Sequence, residues 1–174
     1  VVYLTLGTVM NDPALVRTVL DAIEDLPISV AVTTGPGVDP SLLGSRPPNV
    51  AVAEFVPQAL VLPYVSAVVS HTGSGTMLGA LAAGVPQVCL PQGADQFANA
   101  DRVRATGAGI RLLPEEVSPD SLRHAVRSVL YDPVYGRAAR SLQTEIAAMP
   151  TAEAVLADLV TLAGPDGDRL ARAA

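Results

Sequence analysis

The segment of this sequence best suited to chemistry is the hexapeptide 71–76, which reads His-Thr-Gly-Ser-Gly-Thr. It directly follows the apolar run Ala67–Ser70, which is typical of a buried strand. Glycines let the backbone approach a ligand, and free amides at a helix start attract anions. With the hydroxyls of Ser74 and Thr76 and the imidazole of His71, this loop could bind a diphosphate. The alternative is a tight turn shaped by its two glycines beside a structural core histidine, and spacing alone leaves both interpretations open.

Three familiar phosphate-binding or hydrolytic motifs do not match this loop. A dinucleotide-binding fingerprint needs an acidic residue at the end of a strand about twenty residues later, and none is present. A Walker-type loop needs a lysine. A hydrolase elbow needs the frame G-x-S-x-G, which Ser74 lacks. These classes of site are therefore excluded.

The charge of the chain limits its partners. The formal net charge is −6 and the 11 cationic side chains are all arginines, which disfavours binding to nucleic acid or to an anionic membrane. A phosphate-bearing ligand must then be held by local amides and helix ends. The single cysteine, Cys89, excludes an internal disulfide and fits a reducing compartment, so we expect a cytoplasmic protein. No metal-ligating cluster is visible in the sequence.

Short apolar runs alternate with helical patterns along the chain, as in successive βαβ units. The sequence predicts one α/β domain over residues 1–163, with a doubly wound, Rossmann-like parallel sheet of about six strands and helices on both faces. The tail 164–174 has no pattern and is predicted to be disordered. The predicted strands are Val1–Leu6, Ile28–Thr33, Val50–Phe55, Ala67–Ser70, Gln87–Leu90 and Gly109–Leu113.

The predicted helices include two with clear start signals, at Asp12-Pro13 and at Ser118-Pro119, where a capping side chain precedes proline. The others are Gln58–Leu62, Met77–Ala83, Gln96–Ala105, Tyr135–Ala148 and Ala152–Leu162.

Ligands of open α/β sheets bind beyond the carboxyl ends of the strands. Four loops of small polar residues are predicted to meet at that edge. They are Gly7-Thr8, Phe55–Gln58, His71–Thr76 and Pro91–Gln96.

The stretch from Phe55 to Val103 closely resembles the donor-binding signature of GT-B glycosyltransferases, the group that includes plant secondary-metabolite and bacterial antibiotic enzymes. The bacterial signature has three parts, H-x-G-x-G-T, A-L-x-x-G-V-P and P-x-x-x-D-Q-x-x-N-A, and each occurs here at matching spacing. The resemblance implies the C-terminal half of a GT-B fold that binds a nucleotide-sugar. It also implies an inverting transfer to a small-molecule natural product.

The resemblance assigns a role to each matching residue. Phe55 would stack on the nucleobase, the backbone of Val56 would read its edge, and Gln58 would lie near the ribose. Asp95 and Gln96 would bind hydroxyls of the donor sugar, with Asn99 supporting their loop. The remaining residues would surround the diphosphate, with the first two approaching either the phosphates or the sugar: Gly7, Thr8, His71, Gly73, Ser74, Gly75 and Thr76.

One departure from the plant signature concerns the nucleoside. The plant enzymes carry a glutamate that accepts hydrogen bonds from the ribose, and this chain has Gly79 at that position. Losing the acceptor favours a deoxyribose donor, so the expected substrate is a dTDP-sugar rather than a UDP-sugar. No cofactor or metal is expected.

The resemblance also implies that the chain is incomplete as a catalyst. The general base and most of the acceptor pocket belong to an N-terminal domain that is absent here, and neither His71 nor His124 fits the role of the base. The last helix, within Thr151–Leu162, would normally cross to that domain, so we expect it to expose an apolar stripe or to pack in an altered place. Two alternatives stay open: half of a nucleotide-sugar 2-epimerase, and a non-catalytic nucleotide-binding module.

Overall fold

The computed structural model describes residues 1–7 and 12–163, and within them six strands form one parallel sheet. The predicted Rossmann-like α/β class is confirmed. Thr8 and the tail 164–174 lie outside the described residues. Most strands are shorter than predicted; the third ends at Ala53 rather than Phe55. The strands are β1 (Val2–Thr5), β2 (Val30–Thr33), β3 (Val50–Ala53), β4 (Ala67–Ser70), β5 (Gln87–Cys89) and β6 (Gly109–Arg111).

The strand order is β3-β2-β1-β4-β5-β6, so the chain builds outward from β1 in one direction and then returns to build outward from β4 in the other. In such a sheet the connections after the two central strands diverge and leave a crevice between them. In the register of β1 and β4, Thr5 is the partner of Ser70. The crevice therefore opens beyond this pair.

In the described ranges, seven α-helices accompany the sheet, and three short 3₁₀ turns lie at Pro40–Leu43, Leu62–Tyr64 and Pro114–Glu116. Asp12 and Ser118 cap two of the helices through their side chains, as the sequence predicts. The helices are α1 (Pro13–Ile23), α2 (Gln58–Val61), α3 (Ser74–Ala82), α4 (Gln96–Thr106), α5 (Pro119–Tyr131), α6 (Pro133–Ala147) and α7 (Ala152–Ala163).

The start of α3 differs from the sequence prediction. The helix begins at Ser74 rather than at Met77 because Gly73, in an extended conformation, is the capping residue. The first helical bond runs from the amide of Met77 to the carbonyl of Gly73, at 2.9 Å. The three preceding amides have no partner within the helix, as at the start of any α-helix. The predicted phosphate loop is therefore largely the first turn of a helix.

Hydrophobic residues pack on both faces of the sheet. One cluster joins α1 and α5 to the sheet, with Val2 and Leu4 of β1 pointing into it. The intervening Tyr3 belongs to a cluster on the other face, which includes Ala80 of α3. This alternation follows from the period of two along a strand. In the described part of the chain, no helix is long and apolar enough to cross a membrane.

Candidate functional site

A cavity of about 430 Å³ opens at the crevice between β1 and β4. It collects the described residues that the sequence assigns to the diphosphate and the donor sugar, together with Gln58. Ala94 is an addition that the sequence did not indicate. The lining residues are Gly7, Gln58, His71, Gly73, Ser74, Gly75, Thr76, Ala94, Asp95 and Gln96.

The imidazole of His71 is half-buried and lies between two glycines. A Cβ added to Gly73 would lie 2.5 Å from Nε2, and one added to Gly7 would lie 2.5 Å from Cε1. Glycine is therefore required at both positions by the space that the ring occupies. Of the two glycines in the 71–76 loop, Gly73 is required by the space of the ring, whereas a Cβ on Gly75 would meet nothing within 4 Å, and the binding of a diphosphate by this loop stays a prediction.

The ionisation of His71 follows from its surroundings. Burial lowers the pKa of the imidazole from its ordinary value of 6.5, while the Thr5 backbone and the charge of Asp95 oppose this shift. Its buried Nδ1 has no hydrogen-bond partner of acceptable geometry among the described residues. The ring is therefore neutral at pH 7 and can serve as a hydrogen-bond donor to an anion, which would favour its protonation.

Asp95 lies across the cavity mouth and is held by two neighbours. The Ser74 hydroxyl donates to its Oδ2 at 2.7 Å, and the Asn99 amide donates to the same oxygen at 3.0 Å. The bond from Ser74, and then the bond from Asn99, lower the pKa of the Asp95 carboxyl. The carboxylate is therefore ionised, exposed and ready to accept hydrogen bonds from a ligand.

Gln96 has a different environment from its neighbour. It is buried, and its carboxamide oxygen accepts the amides of Gln92 at 2.7 Å and Gly93 at 3.1 Å. That oxygen shapes the loop after β5. The sequence assigns Gln96 to the sugar, whereas the structure adds a role in folding the loop that carries Asp95.

The residues assigned to the nucleoside line two further cavities that share Gln58 with the first one. Phe55 is 62% exposed, and it lines with Val56 a small adjoining cavity of about 40 Å³. Gln58 lines all three cavities, and its amide donates to Thr76 Oγ1 at 2.8 Å. A Cβ on Gly79 would lie 3.2 Å from Leu62 Cδ1, so an apolar wall faces this position.

Two strained residues at the site have no signal in the sequence. Thr72 has a φ of 65° and Ala94 a φ of 52°, in the left-handed region that non-glycine residues rarely adopt. Thr72 lies in the loop after β4, and Ala94 in the loop after β5. Strain of this kind persists only where the surrounding structure holds it, and it concentrates at functional sites.

A buried chain of hydroxyl groups lies below the Gly7 loop. The hydroxyls of Tyr3 and Thr33 are 2.7 Å apart, and Thr33 donates to Thr5 Oγ1 at 2.9 Å. Thr5 Oγ1 in turn accepts the Gly7 amide at 3.3 Å. These bonds fix the loop that packs against His71. The sequence does not predict them, although threonine ends both β1 and β2.

Elsewhere in the described chain, neither a metal-ligand cluster nor a second set of predicted site residues is found. No group of three histidine, cysteine or acidic side chains lies close enough to hold a metal ion among the described residues. A larger cavity, of about 550 Å³, lies at the opposite edge of the sheet beside Gly84 and Arg140. It contains none of the predicted site residues. His124 is exposed on α5, away from the crevice.

The strand order, the crevice and the helix start beside it define a doubly wound α/β domain of the type that forms one half of a GT-B glycosyltransferase. Comparison with protein families is consistent with this class. The chain belongs to the family of the erythromycin biosynthesis protein CIII-like C-terminal domain, which matches residues 17–162.

Curated relatives are longer than this chain. It is 35% identical over 149 residues to the oleandomycin glycosyltransferase of Streptomyces antibioticus, covering 84% of this chain and 35% of the relative. It is 43% identical over 128 residues to the elloramycin glycosyltransferase of Streptomyces olivaceus, covering 74% of this chain and 32% of the relative. The chain therefore spans about a third of the length of these relatives.

Solved structures share the fold. The glycosyltransferase VinC in complex with dTDP superposes with a TM-score of 0.83 at 29% identity, covering 97% of this chain and 41% of VinC. The calicheamicin glycosyltransferase CalG4 gives a TM-score of 0.79 at 33% identity, covering 84% of this chain and 39% of CalG4.

Proposed function

We propose that this chain is the nucleotide-sugar-binding domain of an inverting glycosyltransferase that acts on a small-molecule natural product. The observation that carries the proposal is the cavity at the crevice, which joins an anion-binding helix start to an ionised carboxylate. The relatives named above support it, since they are glycosyltransferases of antibiotics. Because the chain spans only a third of their length, the activity would belong to a longer protein. A cytoplasmic location stays a prediction.

The diphosphate would be bound without lysine. The free amides at the start of α3 carry a partial positive charge, and the His71 ring lies beside them. During transfer the sugar leaves the diphosphate, and negative charge grows on the phosphate oxygens. Fixed amides aimed at that position stabilise the charge without reorganising, which is electrostatic catalysis. This domain would therefore act on the leaving group.

The sugar would be recognised by the exposed carboxylate of Asp95, which can accept hydrogen bonds from hydroxyl groups. The proton of the acceptor hydroxyl must be removed by a base outside this chain. We place neither His71 nor His124 in that role, because His71 serves the diphosphate and His124 lies away from the crevice. No residue of this chain is therefore proposed as the general base, and its share in the transfer is to stabilise the leaving group.

The preferred donor is a dTDP-sugar rather than a UDP-sugar. Gly79 lines a further cavity of about 440 Å³ with Gln58 and Leu62, which would hold the ribose; Leu62 offers an apolar wall there, and the Gln58 carboxamide oxygen would be 4.0 Å from a Cβ at position 79. The carboxamide oxygen of Gln58 is a single acceptor, which matches the single free hydroxyl of a deoxyribose ring, whereas a ribose ring carries two. The relative VinC was crystallised with dTDP.

The first experiment is calorimetric titration of dTDP, UDP and dTMP into this chain. We expect saturable binding of dTDP, weaker binding of UDP, and much weaker binding of dTMP because it lacks the second phosphate. His71→Ala should weaken dTDP by about tenfold or more, the effect of losing a hydrogen bond to a charged group. His124→Ala is the matched control and should bind dTDP like the wild type.

Failure to bind any of these nucleotides would contradict the proposed function of this domain. Tighter binding of UDP than dTDP would contradict only the donor preference. The epimerase alternative is disfavoured, because Asp95 is the only carboxylate among the described residues that line the cavity. A non-catalytic module would bind the nucleotide equally well, so the upstream part of the gene distinguishes it: an upstream domain of similar size would support the transferase.

A further inference from the structure

Asn99 connects the two halves of the proposed site. Its buried amide nitrogen lies 3.0 Å from Asp95 Oδ2, 3.2 Å from Ser74 Oγ and 3.2 Å from the Thr72 carbonyl oxygen, so its two N–H groups serve three acceptors and one of them is shared. Asp95 follows β5, whereas Thr72 and Ser74 follow β4. One side chain on α4 therefore ties the loop beside the diphosphate to the carboxylate assigned to the sugar.

The hydrogen bonds to Asp95 are unequal between its two oxygens. Oδ2 accepts both the Ser74 hydroxyl and the Asn99 amide, which leaves Oδ1 as the oxygen with more capacity to accept from a ligand hydroxyl. The Ser74 hydroxyl proton is directed to Asp95 and is not directed to a phosphate. Among the donors of Ser74, its backbone amide at the start of α3 is the one suited to an anion.

We propose that Asn99 is a positioning residue for donor-sugar recognition, acting through Asp95 and Thr72, and that the Ser74 side chain serves Asp95 rather than the diphosphate. The proposal rests on the proposed function, since it names a role within the nucleotide-sugar site. It explains how Thr72 keeps its φ of 65°, because the Asn99 amide holds the carbonyl of that residue. Asn99 itself would touch neither the sugar nor the phosphates.

The proposal predicts a selective loss. Asn99→Ala and Ser74→Ala should each weaken dTDP-glucose by about tenfold, because one anchor of Asp95 is removed. In Ser74→Ala, dTDP without a sugar should stay within about twofold, because the helix amides are kept. Asn99→Ala also frees the Thr72 carbonyl, so it should weaken dTDP as well, but by less than it weakens dTDP-glucose. Ser74 is exposed, so its variant tests the proposal even if Asn99→Ala folds poorly. The measurement is calorimetric titration of both ligands into the same protein samples.

A matched control is available in Asn49. Its amide also holds two backbone carbonyls, those of Glu24 and Ile28, each at 3.0 Å, but it lies before β3 and away from the cavity. Asn49→Ala should cost stability without changing the ratio of the two affinities. A general structural effect of Asn99→Ala would weaken both ligands alike, and that outcome would overturn the proposal.

The Asp95 carboxyl gives a second readout that needs no ligand. Carbon-detected NMR titration should give a higher pKa for Asp95 in Ser74→Ala and in Asn99→Ala than in the wild type, because each removed bond stabilises the charged form. Asn99→Asp, which removes the donors and adds a second carboxylate, should raise that pKa further. An unchanged pKa in all three variants would overturn the proposal.

The titrations also separate the two levels of inference. If the wild type binds neither dTDP nor dTDP-glucose, the proposed function is contradicted and this inference falls with it. If the wild type prefers dTDP-glucose over dTDP and the variants keep that preference, only the role of Asn99 and Ser74 is contradicted.

Discussion

The ring of His71 occupies the space in which a side chain at Gly7 would begin. A Cβ there would lie 2.5 Å from Cε1 and 2.7 Å from Nε2 of the imidazole. Gly7 follows β1 and His71 follows β4, the two strands whose divergence opens the crevice. The contact therefore closes the base of the proposed diphosphate site and requires glycine for space as well as for its φ of 81°.

Gly7→Ala should destabilise the protein more than Gly37→Ala. Gly37 has nearly the same φ, 80°, but a Cβ there would meet nothing within 4 Å. Forcing alanine into the left-handed region costs about 1–2 kcal/mol at either site. Displacing His71 should add about 1–3 kcal/mol at Gly7 alone, as overpacking does elsewhere. Urea unfolding of the two variants checks this, and equal losses would mean that the ring moves aside freely.

Gly75→Ala should separate stability from binding. Gly75 lies in the first turn of α3, and a Cβ there would meet nothing within 4 Å. Alanine in place of a helical glycine should raise the free energy of unfolding by up to about 1 kcal/mol. The same methyl group would point into the cavity and weaken dTDP binding. Unfolding and calorimetry on one sample test both, and an unchanged dTDP affinity would place the diphosphate elsewhere.

The lowered pKa of His71 predicts a pH dependence of stability. The folded protein holds the imidazole neutral, whereas the unfolded chain protonates it near the ordinary value of 6.5. The stabilisation is therefore fully present above pH 6.5 and is lost as the pH falls through the lower pKa of the folded state. In His71→Gln, the free energy of unfolding should not show this loss as the pH falls. Urea unfolding of both proteins between pH 8 and 5 measures the difference, and parallel curves would contradict it.

Gly79→Glu should shift the nucleoside preference toward UDP. The new carboxylate would supply the missing acceptor for a ribose hydroxyl, whereas Gly79→Ala adds only a methyl group against Leu62 and serves as the control. We expect the ratio of the UDP and dTDP dissociation constants to fall by about tenfold in Gly79→Glu, the value of one hydrogen bond to a charged group. A ratio equal to that of Gly79→Ala would mean that this position does not face the ribose.

The exposed helix α7 should contribute little to the stability of this chain. Leu156 and Leu159 are each 57% exposed, as the resemblance predicts for a helix that would pack against another domain. Leu159→Ala should therefore cost less than about 0.5 kcal/mol. Leu122→Ala, in the fully buried face of α5, should cost about 2–5 kcal/mol. A large loss at Leu159 in urea unfolding would show that α7 packs on this domain.

The sequence predicts the sheet well because its strands are continuous aliphatic runs. The bounds of β4 agree with the prediction at both ends, since Ala67–Ser70 is enclosed by polar neighbours. The start of α3 was missed because Ser-Gly-Thr has weak helix propensity. The position of Gly73 at the end of a parallel strand, a tertiary constraint, determines where that helix begins.

The site was predictable in its location and less so in its detail. Because ligands of parallel sheets bind at the carboxyl ends of the strands, and because the family signature matches, the sequence predicted that His71 and Asp95 lie at the same edge of the sheet. The bond from Asn99 to Asp95 is local, four residues apart, whereas the bonds from Asn99 to Thr72 and Ser74 and the bond from Ser74 to Asp95 join segments 21 to 27 residues apart. No local pattern in the sequence encodes such contacts.

The proposed diphosphate and sugar contacts lie almost entirely within residues 71–99, one uninterrupted stretch of chain. Gly7 and Gln58 are the lining residues outside it. Under the proposed function, a designed chimera that replaces this stretch would transfer the sugar contacts as a unit, together with the Asn99 bonds that hold Asp95 in place, whereas the nucleoside contacts of Phe55, Val56 and Gln58 would stay with the recipient. If the proposed function holds, sugar recognition would therefore be separable from acceptor recognition.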